Sequence, residues 1–177
     1  MGRILSPMKK ITYGIHESPL GKMVLGMSEK GVCWLGFMVS RKAGAYKGDG
    51  LTRMKAFFPE AAFIEDETAT KDMAARVLKA WREDRLADIP LDLRGTDFQI
   101  SVWQALLKIP KGQVVSYGDV ANDIGSPNAS RAVGTAVGEN PVSLVVPCHR
   151  VVQASGKLGN YGWGVGLKEK ILKAEGL

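Results

Sequence analysis

The chain has 177 residues, of which 45% are apolar and 24% charged, a balance that excludes a disordered tail. The first twenty residues contain no apolar core of signal-peptide length, and no apolar run approaches the ~18 residues of a membrane helix. The sequence therefore predicts a cytoplasmic protein, and its net charge of +6 is compatible with a polyanionic partner without identifying one.

The first part of the chain has the pattern of a small sheet. Three short apolar runs are separated by the turns SPLG and EKG, which is typical of an antiparallel meander. The predicted strands cover residues 11–17, 22–28 and 32–37.

Helices and loops are predicted to follow this sheet. Between residues 70 and 86, apolar side chains recur at steps of three and four residues, which predicts an amphipathic helix. The other predicted segments are a polar, glycine-rich loop at 40–50, a short helix at 51–58, and a linker containing a strand at 87–95.

The pattern changes at Thr96, where Thr96 and Gln99 have the spacing of a capping box at the start of a helix that stops at Pro110. A second helix is predicted to begin after Ser116. A third is predicted to begin with Ser126 as its N-cap and Pro127 at the first helical position. Two short helices joined by a tight turn indicate a helix-turn-helix. An apolar, strand-like run after Pro141, a glycine-rich loop at 156–166 and a closing helix at 167–176 complete the chain.

The sequence contains two cysteines, Cys33 and Cys148, which are too few for a disulfide framework. With only two histidines besides, we expect no metal site. Cys33 lies in an alternating apolar run and reads as a small buried hydrophobe. Cys148 follows a proline and precedes His149 and Arg150, a setting that favours a lowered thiol pKa and a nucleophile. The alternative is that Cys148 is an inert core residue.

The PCHR stretch and its flanks resemble a known family. The segments are SRAVGTAVGEN at 130–140, NPVSLVVPCHRVV at 140–152 and SGKLGNYGWGVGLKEKILKAEG at 155–176. Together they resemble the O6-alkylguanine-DNA alkyltransferases, also called methylated-DNA–protein-cysteine methyltransferases. The resemblance covers nearly all of residues 96–176 and, more loosely, the first 95. It implies an α+β fold with a small N-terminal ribonuclease H-like antiparallel sheet domain over 1–92. A mostly helical catalytic domain with the helix-turn-helix would cover 93–177.

The resemblance also implies a reaction without a cofactor. Cys148 would accept the alkyl group, His149 would act as its base through a bridging water, and Glu175 would orient the imidazole. Tyr117 would protonate the departing guanine, and Asn140 would brace the backbone around the cysteine. From the residues alone, Tyr117 is equally a packing residue, Asn140 a helix stop before proline, and Glu175 a surface glutamate.

Double-stranded DNA is the partner that the resemblance implies, bound through its minor groove by a monomer with the alkylated base flipped out. Arg131 would fill the gap left by that base. Small neighbours would let the third helix enter the groove, although they are also compatible with tight helix packing. The DNA-binding residues implied are Ala129, Ser130, Arg131, Gly134 and Thr135.

The flipped base would enter a pocket formed by Val151, Asn160, Tyr161, Gly162 and Trp163. Many relatives carry a hydroxyl-bearing residue where this chain has Gly162, so a backbone N–H would replace that hydrogen bond. A large indole at the pocket rim, from Trp163, predicts that bulky benzyl adducts react poorly. The N-terminal zinc ligands of some relatives are not all present, so no metal is expected.

The function implied is DNA repair by a single-turnover methyltransferase. It would transfer an alkyl group, mainly methyl, irreversibly from O6-alkylguanine, and more weakly from O4-alkylthymine, to its own Cys148. Two other functions are compatible with the residues. One is a non-catalytic helix-turn-helix protein that binds alkylated DNA, and the other is a cysteine hydrolase that uses Cys148 and His149.

Overall fold

The computed structural model describes residues 7–40 and 47–177, so most of the predicted loop at 40–50 lies outside the described residues. The chain divides into two compact units, one ending at Arg94 and the other covering Gly95–Leu177, whereas the sequence placed the boundary after residue 92. Among the helices in the described ranges, none has the length and apolar character needed to span a membrane.

A four-stranded sheet forms the centre of the first unit. Its strands are β1 (Lys10–His16), β2 (Met23–Met27), β3 (Val32–Phe37) and β4 (Ala62–Glu65). They lie in the order β3-β2-β1-β4, and the antiparallel pairing of β1 with β2 and of β2 with β3 confirms the predicted meander.

Strand β4 was not predicted, and it pairs parallel to β1, so the sheet is not purely antiparallel. Its sequence AFIE is short and mostly exposed, and therefore lacks the alternation that marks a half-buried strand. A parallel neighbour requires a crossover connection, and helix α1 (Gly50–Phe57) lies in that connection.

Two α-helices of this unit each begin with an aspartate cap. The Asp49 carboxylate accepts from the Thr52 amide at the start of α1, and Asp66 accepts from the Ala69 amide at the start of α2 (Glu67–Arg82). Helix α2 packs against β1 and β2 with an apolar face, which confirms the predicted amphipathic helix. It ends at Arg82, earlier than predicted. In place of the predicted strand, the linker at 87–95 forms a strand-like bridge from Leu91 to Val32.

The second unit is mostly helical. Its elements are α3 (Asp97–Leu106), β5 (Val115–Ser116), α4 (Tyr117–Asp123), α5 (Ser130–Gly138), β6 (Val151–Val152) and α6 (Val165–Ala174). The capping box of Thr96 with Gln99 is present, and Ser116 caps α4 as predicted. Trp103 is buried and joins α3 to α5 by donating its indole N–H to the Ala136 carbonyl at 2.9 Å.

The predicted start of the third helix was wrong. Helix α5 begins at Ser130 with Ala129 as its N-cap, because Ser126 is used to close α4. The Ser126 amide donates to the Ala121 carbonyl, and the Gly125 amide donates to Asn122, with Gly125 at φ +75°. This pair of bonds is a Schellman motif, which ends the preceding helix at the residue that the sequence assigned to starting the next.

The apolar run after Pro141 is not a strand as predicted. The Val146 amide donates back to the Val142 carbonyl at 3.0 Å, and Leu144 has φ +72°, so the chain turns on itself inside the core. Only Val151–Val152 forms a short strand, β6, which pairs parallel to β5. This buried turn delivers the chain to Cys148.

Candidate active site

Cys148 opens a short 3-10 helix, Cys148–Arg150, directly after Pro147. Its side chain is buried, with 6% of the residue exposed. Burial raises the pKa of the thiol, although a side-chain hydrogen bond with Asn140 and the charge of Lys168 oppose the rise. The expectation of a lowered pKa was therefore wrong for the protein without substrate, and Cys148 needs a base to become a thiolate.

His149 is fully buried next to that thiol, and its Nε2 lies 2.9 Å from Oε2 of Glu175. Glu175 is the C-cap residue of α6. Burial lowers the pKa of His149, and the hydrogen bond to Glu175 opposes this. In the neutral ring, Nε2–H donates to the carboxylate, which leaves the Nδ1 lone pair as an acceptor. Nδ1 is buried and has no hydrogen-bond partner among the described residues, which is the arrangement of an available base.

Arg150 is also buried, and sequence reasoning did not include it among the site residues. Its Nε and Nη2 donate to Oε1 and Oε2 of Glu175 at 3.0 and 2.8 Å, and its Nη1 donates to the Ile109 carbonyl at 2.7 Å. The available signal was a guanidinium inside a long apolar run, because a buried arginine requires a paired anion.

Asn140 braces the turn before the cysteine. Its Nδ2 donates to the Val146 carbonyl at 2.8 Å, and its Oδ1 accepts from the Val142 amide at 3.0 Å. Both ends of the turn are thereby fixed by one side chain. The same side chain is within hydrogen-bond reach of the Cys148 sulfur and lowers its pKa.

Tyr117 is the first residue of α4 and is half-buried. A Cβ built on Gly134 of α5 would lie 3.7 Å from its ring, and one built on Gly159 would lie 3.5 Å from its hydroxyl. The phenol therefore lies between α5 and the glycine-rich loop.

The predicted pocket residues differ in exposure. Val151, Tyr161 and Trp163 are buried, Gly162 is half-buried and Asn160 is exposed. The Trp163 indole donates to the Ser143 hydroxyl at 2.7 Å, so this ring is held inside the fold and not at a rim as the sequence predicted. Burial and the nearby Cys148 raise the pKa of Tyr161 well above its ordinary value, so this phenol stays protonated.

Lys168 on α6 is a second buried cation that the sequence did not reveal. Its Nζ donates to the carbonyls of Val151, Leu158 and Asn160 at 2.6, 2.5 and 3.3 Å. Burial lowers its pKa to about 8, and Cys148 opposes this shift. One ammonium thus joins the glycine-rich loop to the strand that follows the reactive cysteine.

The predicted DNA-binding residues lie on α5 or, for Ala129, at its N-cap. Val133, Ala136 and Val137 of α5 are buried, while Arg131 and Thr135 are exposed. Ala129, Ser130 and Gly134 are half-buried beside them. Within residues 7–40 and 47–177, no group of three or more His, Cys, Asp or Glu side chains could hold a metal ion.

Comparisons with known proteins identify the family of this chain. A family model described as the 6-O-methylguanine DNA methyltransferase, DNA binding domain, matches residues 97–177. The methylated-DNA–protein-cysteine methyltransferase of Methanosarcina acetivorans is 41% identical over 166 residues, which are 93% of this chain and 97% of that protein. The Mycobacterium tuberculosis protein of the same name is 58% identical over 88 residues, which are 50% of this chain and 53% of that protein.

A solved structure shares the same fold. The crystal structure of Mycobacterium tuberculosis OGT in complex with DNA matches with a TM-score of 0.74 and 37% identity, covering 93% of this chain and 92% of that one. The family expected from the PCHR stretch and its flanks is confirmed. Because the Methanosarcina relative is similar over nearly its whole length, this chain belongs to the methylated-DNA–protein-cysteine methyltransferase family.

Proposed function

We propose that this protein repairs alkylated DNA by transferring an alkyl group, mainly methyl, directly and irreversibly to Sγ of Cys148. The donors are O6-alkylguanine and, more weakly, O4-alkylthymine, and the partner is DNA. The observation that carries the proposal is the buried pair of His149 and Glu175, whose Nε2 and Oε2 atoms are 2.9 Å apart. His149 directly follows Cys148 in the chain. This pair supplies the base that a thiol with a raised pKa requires.

The chemical step is a displacement at the alkyl carbon. His149 takes the Cys148 proton on Nδ1 through a bridging water, and Glu175 stabilises the resulting imidazolium. The thiolate forms a bond to the alkyl carbon while the carbon–O6 bond breaks and leaves its electron pair on the base. The Tyr117 hydroxyl then gives a proton to the departing guanine and regains one from solvent.

The product explains why each molecule acts once. A thioether carbon has no good leaving group, and neither His149 nor Glu175 can activate water to displace a thiolate from it. Cys148 is also buried, which limits access of any external nucleophile. The protein is therefore a stoichiometric reagent as well as an enzyme.

The protein is proposed to act as a monomer, and the exposed side of α5 supports docking in the minor groove. Gly134 and the short side chains of Ser130 and Thr135 leave little between the helix backbone and a docked groove, and Arg131 lies exposed on the same helix. Readout in the minor groove is degenerate, which suits repair that ignores sequence. Extruding the base costs a few kcal/mol, and insertion of Arg131 into the vacated stack would offset part of that cost.

The flipped base is proposed to enter the pocket of Val151, Asn160, Tyr161, Gly162 and Trp163. Tyr161 and Trp163 offer apolar ring surface, while main-chain groups of Val151 and Cys148 would recognise the guanine edge. The half-buried Gly162 offers no side-chain hydroxyl, so a backbone N–H would replace that hydrogen bond to O6.

Intact-protein mass spectrometry after mixing with duplex containing O6-methylguanine tests this function. We expect a stable gain of one methyl group per molecule, mapped to Cys148. Cys148→Ala should gain nothing while binding the duplex as tightly as the original protein. Cys33→Ala is the matched control, because Cys33 is buried in the other unit with a pKa raised to about 12, and it should transfer normally.

Two other outcomes would contradict the proposal. Tight binding of the lesion with no mass change in the folded protein would identify a non-catalytic binding protein. Release of products over many turnovers without an adduct would identify a cysteine hydrolase.

A further inference from the structure

The carboxylate of Glu175 is shared by two different side chains. His149 contacts Oε2 at 2.9 Å, while Arg150 contacts Oε1 and Oε2 at 3.0 and 2.8 Å. All three side chains are buried, with at most 2% of either partner side chain and none of the Glu175 side chain exposed. The mechanism above uses His149 and Glu175 but gives Arg150 no part.

The charges of this cluster balance only when His149 is neutral. Arg150 is permanently positive and Glu175 negative, so these two side chains together carry no net charge. A proton on His149 would leave a net positive charge on three buried side chains, which burial strongly disfavours. Of the other groups that face His149, Lys168 is also positive and opposes its protonation further, and the Cys148 thiol is neutral.

Without Arg150, the same site would have the opposite preference. Glu175 would be a buried anion whose remaining side-chain partner is His149, and a proton on the imidazole would neutralise the pair. A protonated His149 has no lone pair on Nδ1 and cannot accept the Cys148 proton.

We propose that Arg150 is a positioning residue. It neutralises the charge of Glu175, so that His149 stays neutral and its Nδ1 can accept a proton. Its third contact, from Nη1 to the Ile109 carbonyl at 2.7 Å, fixes the guanidinium in this place. The inference rests on the proposed transfer to Cys148 for its meaning in catalysis. The protonation state itself can be measured without any reaction.

The direct test is the 15N NMR titration of His149 in a protein carrying His16→Gln, which leaves a single histidine. Glutamine at 16 can keep the hydrogen bond that His16 makes to Thr70. With Arg150 present, we expect a neutral ring with the proton on Nε2 at pH 6.5 and below. Arg150→Met should move the midpoint above 6.5, and Arg150→Lys should restore the original behaviour.

A double variant separates charge balance from local damage. Arg150→Met combined with Glu175→Gln removes both charges together, so His149 should again stay neutral at pH 6.5. Lys173→Met is the control for loss of a positive charge on the surface of α6, because Lys173 is exposed and forms a surface ion pair with Glu169. It should leave the titration unchanged.

Methyl transfer gives a second measurement. The acid limb of the pH–rate profile should move upward by about one pH unit or more in Arg150→Met, with recovery at higher pH, whereas a merely structural role would lower the rate equally at every pH. A folded Arg150→Met protein whose His149 titrates as before would overturn the inference. If Arg150→Met does not fold, the test rests on Arg150→Lys and on Arg150→Met combined with Glu175→Gln. A His149 midpoint above pH 6.5 in either of these variants would refute the proposal. Absence of transfer in all variants would count against the proposed function and leave the NMR result standing.

Discussion

Asn140 and Val146 are joined by a buried hydrogen bond of 2.8 Å that closes the turn leading to Cys148. The other end of the same amide accepts from the Val142 N–H at 3.0 Å. One side chain therefore binds two buried main-chain groups, one at each end of the turn. Asn140 also favours the ionised form of the Cys148 thiol.

Replacing Asn140 by alanine should affect both stability and reactivity. The buried Val142 N–H would lose its partner, while the Val146 carbonyl would keep the hydrogen bond from the Cys148 amide. An unsatisfied buried group costs about 1–3 kcal/mol, so we expect the free energy of unfolding to fall by about that amount. The pKa of Cys148 should rise further, and methyl transfer at neutral pH should slow. Urea denaturation and single-turnover kinetics measure these effects. Asn128→Ala, at an exposed turn position, is the control and should change neither. Unchanged stability of Asn140→Ala would contradict the bracing role.

Lys168→Met should reveal a pH-dependent contribution to stability. The pKa of this amine is lowered from 10.5 to about 8 in the folded protein, so between these values the unfolded chain holds the proton that the folded one has lost. Stability therefore rises with pH in that window because of Lys168, and its burial is least favourable below pH 8.

The measurement is urea unfolding of both proteins at several pH values between 7 and 10. We expect the unmodified protein to gain stability relative to Lys168→Met from pH 8 upward. Lys170 lies on the exposed side of the same helix, so the free energy of unfolding of Lys170→Met should change with pH as it does in the unmodified protein. A constant difference between the unmodified protein and Lys168→Met across the whole range would show that Lys168 does not titrate there.

Trp163 should limit the size of the alkyl group that the pocket accepts. Its ring is buried and held by the hydrogen bond to Ser143, so it cannot swing away to admit a larger adduct. We expect the original protein to transfer methyl faster than benzyl, and Trp163→Leu to raise the benzyl-to-methyl rate ratio at a cost of a few kcal/mol in stability. Competition between the two oligonucleotides measures this ratio directly. Equal rates for benzyl and methyl in the original protein would refute the prediction.

Local signals in the sequence were sufficient for most of the helices. The capping box at Thr96 and the amphipathic face of α2 depend on residues three or four apart, and both are present in the structure. Strand β4 depends on pairing with β1 more than forty residues earlier, and its exposed side chains carry no period-two pattern. The predicted start of α5 was wrong because Ser126 could either cap α5 or close α4. In the structure it closes α4 as part of a Schellman motif.

The site was predictable where a family motif marked it and not where tertiary contacts alone define it. Cys148, His149 and Glu175 are named by the resemblance, and the structure brings His149 and Glu175 together. Lys168 lies in LKEKILK, where its charged neighbours make it look like part of a solvated face. Its ammonium is surrounded by three carbonyls only once the chain has folded. Two of these carbonyls belong to the glycine-rich loop, which has no periodic pattern that would predict the contact.

Gly134→Ala should separate the stability of α5 from its role on DNA. Glycine inside a helix is less favourable than alanine by up to ~1 kcal/mol. A Cβ at this position would make an ordinary contact with the Tyr117 ring at 3.7 Å. We therefore expect a small gain in the free energy of unfolding. If this face enters the minor groove, the added methyl group holds the helix away from the groove, and DNA affinity should fall several-fold.

Gly166→Ala is the matched control for this substitution. Gly166 also lies in a helix, α6, and a Cβ there meets nothing within 4 Å, so it should change stability in the same direction without affecting DNA binding. Transfer from free O6-methylguanine base should be similar in both variants and in the original protein, because that substrate does not require the groove. Fluorescence anisotropy with lesion-containing duplex gives the affinities. Gly134→Ala binding as tightly as Gly166→Ala would show that this face of α5 does not contact DNA closely, since a methyl group at a close helix–groove contact has no room to be accommodated.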